Sequence, residues 1–306
     1  MLIKYTDNKE KRYFIMTMLI AVFGMWLYYT KYENIILCPD SLDYIRYNFD
    51  EVLHMELQGR PPIYPLIIAI CKRVFSNCYL EAVVAIQYVI WFVSIIFFFK
   101  MLKLLTKNIK IVSFFTVIYA LCAAVTGWNN LILTESITLS GTVIVIYFII
   151  KYIKEPKLLS GISAIVISLI LTFSKPTVII YVMFLEIFWI GRFIFEREHI
   201  KVDFKCFIAS TISIFIIIIY AIIFHRTFGI YSISDAIPRQ DLYVCIHQGY
   251  YKSSNNEEFI KKVEESLEKN KDNEWTVMTD VLVQYSLSEV KELTSIKKGV
   301  LSDIKA

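Results

Sequence analysis

Glycine is scarce in this chain, with nine residues in 306, and histidine is scarcer, with four. His54, His225 and His247 fall at no metal-ligand spacing and read as ordinary surface residues. The six cysteines form no CxxC and no repeated pattern, which argues against a disulfide framework or a zinc site and for free thiols. P-loop, GxSxG and dinucleotide-binding fingerprints are missing, so those chemistries are not signalled. A surplus of one charge is missing too. Thirty-two bases against 28 acids leave a net charge of +4, which implies no nucleic-acid partner. No internal repeat or low-complexity linker divides the chain.

What is present is apolar. Hydrophobic residues make up 57% of the sequence, against about 45–50% in soluble domains, and mean hydropathy is +0.55. Two runs, "IVSFFTVIYALCAAV" and "FIASTISIFIIIIYAIIF", contain no charge. Apolar runs of this length read as membrane spans. In lipid the backbone must satisfy its own hydrogen bonds, so the expected fold is an all-α integral membrane bundle. Abundant Ile, Lys, Tyr and Phe beside little Gly fit AT-rich bacterial coding, and hence a bacterial plasma membrane. The first run, 13–30, is too long for a signal-peptide core, and the bulky "YYTKYEN" after it offers no cleavage site, so it reads as a retained span.

Eight apolar runs follow one another: 13–30, Ile63–Phe75, 80–105, 111–126, 134–153, 158–174, 177–195 and 207–224. The second, at about 13 residues, is short of the ~17 a span needs. The distribution of bases arbitrates. If Ile63–Phe75 does not cross, four basic segments fall on one side: Lys4 to Arg12, Lys100 to Lys110, Lys151 to Lys157, and Arg192 to Lys205 with Arg197 between. The loop 127–133 on the other side then has none. This predicts about seven spans, a cytoplasmic N-terminus, and Ile63–Phe75 as a juxtamembrane helix in an extracytoplasmic loop, 31–79. Residues 1–225 would form the membrane module and 226–306 an extracytoplasmic, mostly helical polar tail. In that tail "NEEFIKKVEESLEKN" and "SLSEVKELTSIKKGVL" look helical, the second opening on a Ser286-x-x-Glu289 capping box.

The loop 31–79 is unusually acidic, with Glu33, Asp40, Asp43, Asp50, Glu51 and Glu56. "PDS" at Pro39 is a helix-start signal, and Asp40 reads either as an N-cap or as a functional carboxylate. Asp40, Asp43, Tyr44 and Tyr47 recur at i, i+3, i+4 and i+7, placing two carboxylates and two phenols on one helical face at headgroup level. Such a face is able to deprotonate a hydroxyl or hold a divalent metal through Asp40 and Asp43. "GRPPIYP" starts the juxtamembrane helix at a position proline tolerates, with Arg60 either snorkelling or facing a phosphate. Thr134 and Glu135 suit a span's N-terminus. Lys175 is the only base between Lys157 and Arg192, either snorkelling or meeting a lipid phosphate. Glu186 lies inside a span and reads as hydrogen-bonded there.

The order of these features resembles the GT-C membrane glycosyltransferases, which take a sugar from a polyprenyl-phosphate carrier, such as the dolichyl-phosphate-mannose mannosyltransferases and the bacterial aminoarabinose transferases. The resembling stretches are "PDSLDY" at 39–44, "GRPPIYPL" at 59–66, "TESITL" at 134–139 and "FSKP" at 173–176. Each is weak alone; together they cover about residues 10–250. The resemblance implies inverting transfer to an extracytoplasmic hydroxyl of a glycan, lipid or protein, with Asp40 as base. It implies substrate contacts from Asp43, Tyr44, Arg60, Tyr64, Glu135 and Lys175, with Arg60 and Lys175 near the donor phosphate. No cofactor is demanded; a divalent metal is compatible. Relatives carry further spans after the seventh, so this chain reads as a minimal enzyme, a truncated product or one half of a complex with a second membrane subunit. The competing readings are a transporter or flippase, for which Glu186 is the one midplane acid, and a non-catalytic membrane partner.

Overall fold

Fourteen α-helices and four short 3₁₀ turns account for most of the described chain, and among the described residues there is no strand, only an isolated bridge between Ile36 and Leu131. This computed structural model describes residues 8–31, 35–54, 57–196, 198–254, 256–270, 274–286 and 288–290. Lys4, Glu33, Glu56, Arg197 and the expected helix beyond residue 290 lie outside them.

The chain divides into two units, Met1–Tyr47 with Pro61–Ile216, and Asn48–Arg60 with Ile217–Ala306. The first begins with α1 (Asn8–Lys31) and α2 (Pro39–Ile45); α3 (Phe49–Leu53) belongs to the second. The first continues with α4 (Ile63–Phe75), α5 (Tyr79–Leu105), α6 (Ile109–Leu121), α7 (Ala123–Thr126), α8 (Glu135–Lys154), α9 (Leu158–Thr172) and α10 (Ile179–Phe195). Helix α11 (Ile200–Phe228) runs through both units.

Contacts within the first unit define its two ends. At one, Glu10 at the start of α1 meets Lys103 at the end of α5 at 2.7 Å, and Tyr152, Arg192 and Asp203 gather from α8, α10 and α11. At the other, Ile36 pairs with Asn130 and Ile132, the Ile63 N–H donates to Phe173 O, and Lys175 meets Glu135. The long helices therefore run alternately from one end to the other. Helix α4 does not. Its first residue is tied to Phe173, and its Lys72 donates to the Ile45 carbonyl, so both its ends stay beside the same loops. Ser76, at φ 47, then breaks the chain into a 3₁₀ turn before α5 sets off.

Among the described residues, five helices are long and apolar enough to cross a membrane, six if α6 and the segment Ala123–Asn130, bent by 49°, count as one. Helix α9 is apolar but has only 15 residues. The expected run 111–126 is thus broken at Cys122, whose ψ of 103° leaves the helical region with no proline to announce it. The bend feeds the loop that pairs with Ile36.

The apolar distribution is that of a membrane protein. Phe195, Leu159 and Ile187 are 84%, 72% and 68% exposed, whereas Ser94, Thr116, Ser140, Ser168 and Thr172 are buried. Several inner hydroxyls donate to the carbonyl one turn back, such as Thr116 to Val112 and Thr172 to Ser168, which satisfies them without water. Small residues let helices approach closely: a Cβ on Gly141 of α8 would lie 2.5 Å from Leu171 of α9. All six cysteines are free thiols.

In the second unit α12 (Ala236–His247), α13 (Glu257–Asn270) and α14 (Glu274–Gln284) enclose a core of Leu242, Cys245, Phe259, Val263, Val277 and Val281. The expected tail helix at 257–270 is there. The Ser286–Glu289 capping box also forms: the Ser286 N–H donates to Glu289 Oε2 at 2.8 Å, and Ser286 Oγ accepts from the Glu289 N–H. Leu57 packs with Phe224 and Ile230 in a smaller core.

Candidate functional site

Helix α2 carries the carboxylates. Proline at its first position has no N–H to leave unsatisfied. The N-cap is Cys38 rather than Asp40, and the Ser41 hydroxyl accepts from the Cys38 N–H at 2.9 Å. Asp40, at the second helical position, is therefore not the residue that opens the helix. Helix α2 ends at Ile45, so the expected four-residue face is shorter than the spacing suggested: Tyr47 lies past the helix, and it is buried. Asp40 and Asp43 are half-buried, one turn apart, and Tyr44 is 7% exposed.

A buried polar chain holds α2 in place. Tyr44 packs edge-on against Tyr64, with ring centroids 5.1 Å apart. Tyr64 is fully buried and donates its hydroxyl to Gln87 Oε1 at 2.8 Å. The Gln87 amide donates to the carbonyls of Asn129 and Leu131, at 2.7 and 3.0 Å. Asn129 accepts from Ser136, and Tyr88 donates to Asn130 at 2.7 Å. The same loop pairs with Ile36, three residues before α2 begins. A continuous set of contacts therefore runs from the acidic helix to the start of α8. Tyr44 and Tyr64 belong to its packing.

The start of α8 holds the second charged element. Thr134 stands at the N-cap position without a capping bond from its side chain; its hydroxyl donates instead to Glu135 Oε2 at 3.4 Å. The Lys175 ammonium donates to Glu135 Oε1 at 2.7 Å, with the two side chains 30% and 26% exposed. Two regions 40 residues apart in sequence thus form one partly open ion pair, in the unit that carries Asp40 and Asp43.

Arg60 belongs to the other unit, at the end of its segment Asn48–Arg60. There Gly59 accepts a backbone hydrogen bond from Asp235 at 2.9 Å. A Cβ on Gly59 would lie 2.0 Å from Asp235 Oδ2, so the glycine of "GRPP" is required for this close approach. Glu186 accepts from Thr211 at 2.8 Å, the hydrogen-bonded role expected of it.

Sequence reasoning did not single out Gln87, Asn129, Asn130 or Ser136. A lone amide in the apolar stretch of α5 is the one signal that pointed there. It also passed over Asp203, which is fully buried, accepts from Arg192 Nε at 2.9 Å and from the Tyr152 hydroxyl, and lies at the opposite end of the first unit. Among the described residues, no group of three or more His, Cys, Asp or Glu side chains is placed to hold a metal ion. No family model and no curated protein matches this chain.

Proposed function

We propose that this chain is a membrane glycosyltransferase that moves a sugar from a polyprenyl-phosphate carrier to an acceptor hydroxyl. The observation that carries the proposal is the gathering, at one end of one helical unit, of the carboxylate helix α2 and the Glu135–Lys175 pair, with α4 lying beside them. In this reading seven helices cross the bilayer, counting the bent α6–α7 pair and the short α9, while α4 lies in the interface. The opposite end carries Lys9, Lys11, Arg12, Lys103, Lys154 and Lys201, which makes it cytoplasmic. Asp40 and the residues after α11 are then extracytoplasmic. A lipid carrier's phosphate sits at headgroup level, so its reacting carbon meets groups placed just past a span.

The chemistry needs few residues. Asp40 takes the proton from the acceptor hydroxyl. The oxygen bonds to the anomeric carbon from the face opposite the carrier, and the anomeric C–O bond to the phosphate breaks. The phosphate leaves with the electron pair, so no general acid is needed. Lys175, partly exposed and held by Glu135, meets the charge that develops on it. If a divalent ion takes part, Asp40 and Asp43 with substrate phosphate are the donor set that suits Mg²⁺.

Asp40→Asn in purified, folded protein is expected to lower transfer from a polyprenyl-phosphate sugar by about 10²–10⁴-fold; unchanged turnover sinks the proposal. The transporter reading has one observation in its favour, a Glu186 oxygen that is buried with no hydrogen-bond partner among the described residues. Uptake that survives Asp40→Asn and is lost in Glu186→Gln selects it.

A further inference from the structure

At the end of the first unit opposite to the Glu135–Lys175 pair, α5 and α8 carry two lysines that the catalytic proposal does not use. Lys100 lies five residues before the end of α5, and Lys151 three before the end of α8. At 1.5 Å per residue they stand about 7 and 5 Å inside the helix ends. Phe97 and Tyr147 meet edge to face between the two helices, their centroids 4.9 Å apart. Each lysine folds back over one of these rings: Lys100 Nζ is 5.1 Å from the Phe97 centroid, and Lys151 Nζ is 5.7 Å from that of Tyr147. Both side chains are partly buried. The rings attract the ammonium groups without cancelling their charge, and Lys100 feels the charge of Lys151 across the helix contact. Glu155, one turn beyond Lys151, acts on it with the opposite sign, but it also accepts from Lys157 Nζ at 2.7 Å. One carboxylate among three lysines leaves an excess of positive charge where α5 and α8 meet.

We infer that Lys100 and Lys151 hold the phosphate of an anionic phospholipid. Like charges brought together where water is partly excluded repel strongly, and an anion near both relieves the repulsion. When α5 and α8 cross the bilayer, as their length and apolar composition allow, lysines just inside the helix ends stand at the depth of a lipid phosphate. A phosphodiester carries one negative charge on two non-bridging oxygens, so it accepts from both ammonium groups at once. The outer faces of the same helices are apolar and exposed, at Val89 and Leu105 on α5 and at Ile146 and Ile153 on α8, which gives acyl chains a surface to lie against. A zwitterionic headgroup suits the place less, because its own ammonium adds a fourth cation. Basic sites between membrane helices recognise anionic headgroups on these terms. The inference stands apart from the transferase reading, because it requires neither donor lipid nor turnover.

The test uses full-length protein in a mild neutral detergent. Native mass spectrometry counts bound lipid, and melting curves read the stabilisation that the lipid gives. The probes are phosphatidylglycerol, phosphatidylethanolamine and inorganic phosphate. Phosphatidylglycerol is expected to stay bound and to raise Tm, and the other two are not. Lys100→Gln and Lys151→Gln, which keep most of the side-chain length, are each expected to weaken phosphatidylglycerol binding about fivefold, and the double variant about twentyfold. Lys107→Gln with Lys110→Gln removes the same charge from exposed positions at the same end of the unit, and is expected to leave binding nearly unchanged. The inference is overturned if phosphatidylethanolamine binds as tightly, if inorganic phosphate alone stabilises as much, or if the Lys107 and Lys110 variant loses as much as the Lys100 and Lys151 variant. It is equally overturned if folded Lys100→Gln and Lys151→Gln proteins bind phosphatidylglycerol as the parent does.

Discussion

The first unit contains two ion pairs that look alike in a contact list and differ in kind. At one end Lys175 meets Glu135 with both side chains about a quarter to a third exposed. At the other Arg192 meets Asp203 with exposures of 8% and 0%, braced by the Tyr152 hydroxyl and by Glu196. The Arg192 guanidinium also lies over the Tyr152 ring, 5.4 Å from its centroid. In the open pair water already screens each charge, so a ligand that displaces one partner loses little. In the closed pair each charge depends on the other, because an isolated charge in a low-dielectric interior is far more costly. The first is therefore the pair able to exchange a partner for a ligand, as the proposed transfer requires, and the second clamps α8, α10 and α11.

The comparison is broken most sharply at Arg192. Arg192→Met leaves Asp203 buried and uncompensated, with an expected cost of about 3–5 kcal/mol. The melting temperature in detergent reads it, and Arg192→Met combined with Asp203→Leu is expected to recover most of the loss. An Arg192→Met protein as stable as the parent would make the two pairs equivalent. Gln87→Leu tests the link between α2 and the open pair. It strips a partner from Tyr64 and donors from two carbonyls, with an expected cost of about 1–3 kcal/mol, and it lowers transfer without touching substrate. Lys175→Met is expected to change stability by no more than about 1 kcal/mol while lowering transfer, so stability and activity separate at this site.

The smallest effect lies in the second unit, at a carboxylate that is neither clamp nor site. Hydrogen bonds from Asn270 and Ser266, with Lys269 and Lys262 nearby, hold the Asp280 pKa below its ordinary 3.8. Its stabilising contribution is therefore fully present above that unfolded-state value and is lost as pH falls through the lower folded-state value. Melting curves of wild type and Asp280→Ala should differ by a constant amount from pH 7 to 5 and converge only in stronger acid. Convergence already near pH 6 would contradict this assignment.

Much of the helical plan was legible because length and hydropathy act locally. Runs such as 207–224 have no alternative to a helix in lipid, and Glu257–Asn270 has the period of an amphipathic one. The break at Cys122 was not legible, because no proline or glycine marks it. The length of α2 was not legible either: the spacing from Asp40 to Tyr47 is helical, yet the chain turns at Arg46, where Lys72 from α4 takes the Ile45 carbonyl. Of the candidate site, the residue types and their order could be read. The Glu135–Lys175 pairing and the Gln87 network could not, because they join residues about 40 positions apart.

By itself, then, the sequence determined a membrane-type, all-helical chain, the acidic stretch after the first apolar run, and the separate short helix at Ile63–Phe75. Those follow from composition and period, which each segment carries alone. Tertiary structure decided that Cys38 rather than Asp40 caps α2, that Tyr44 and Tyr64 are packing groups, and that "GRPP" ends one unit at Arg60 and opens the other at Pro61. It also decided which of two similar ion pairs stays open. Burial is a property of neighbours, and the neighbours of Lys175 and Arg192 are set by how the helices pack.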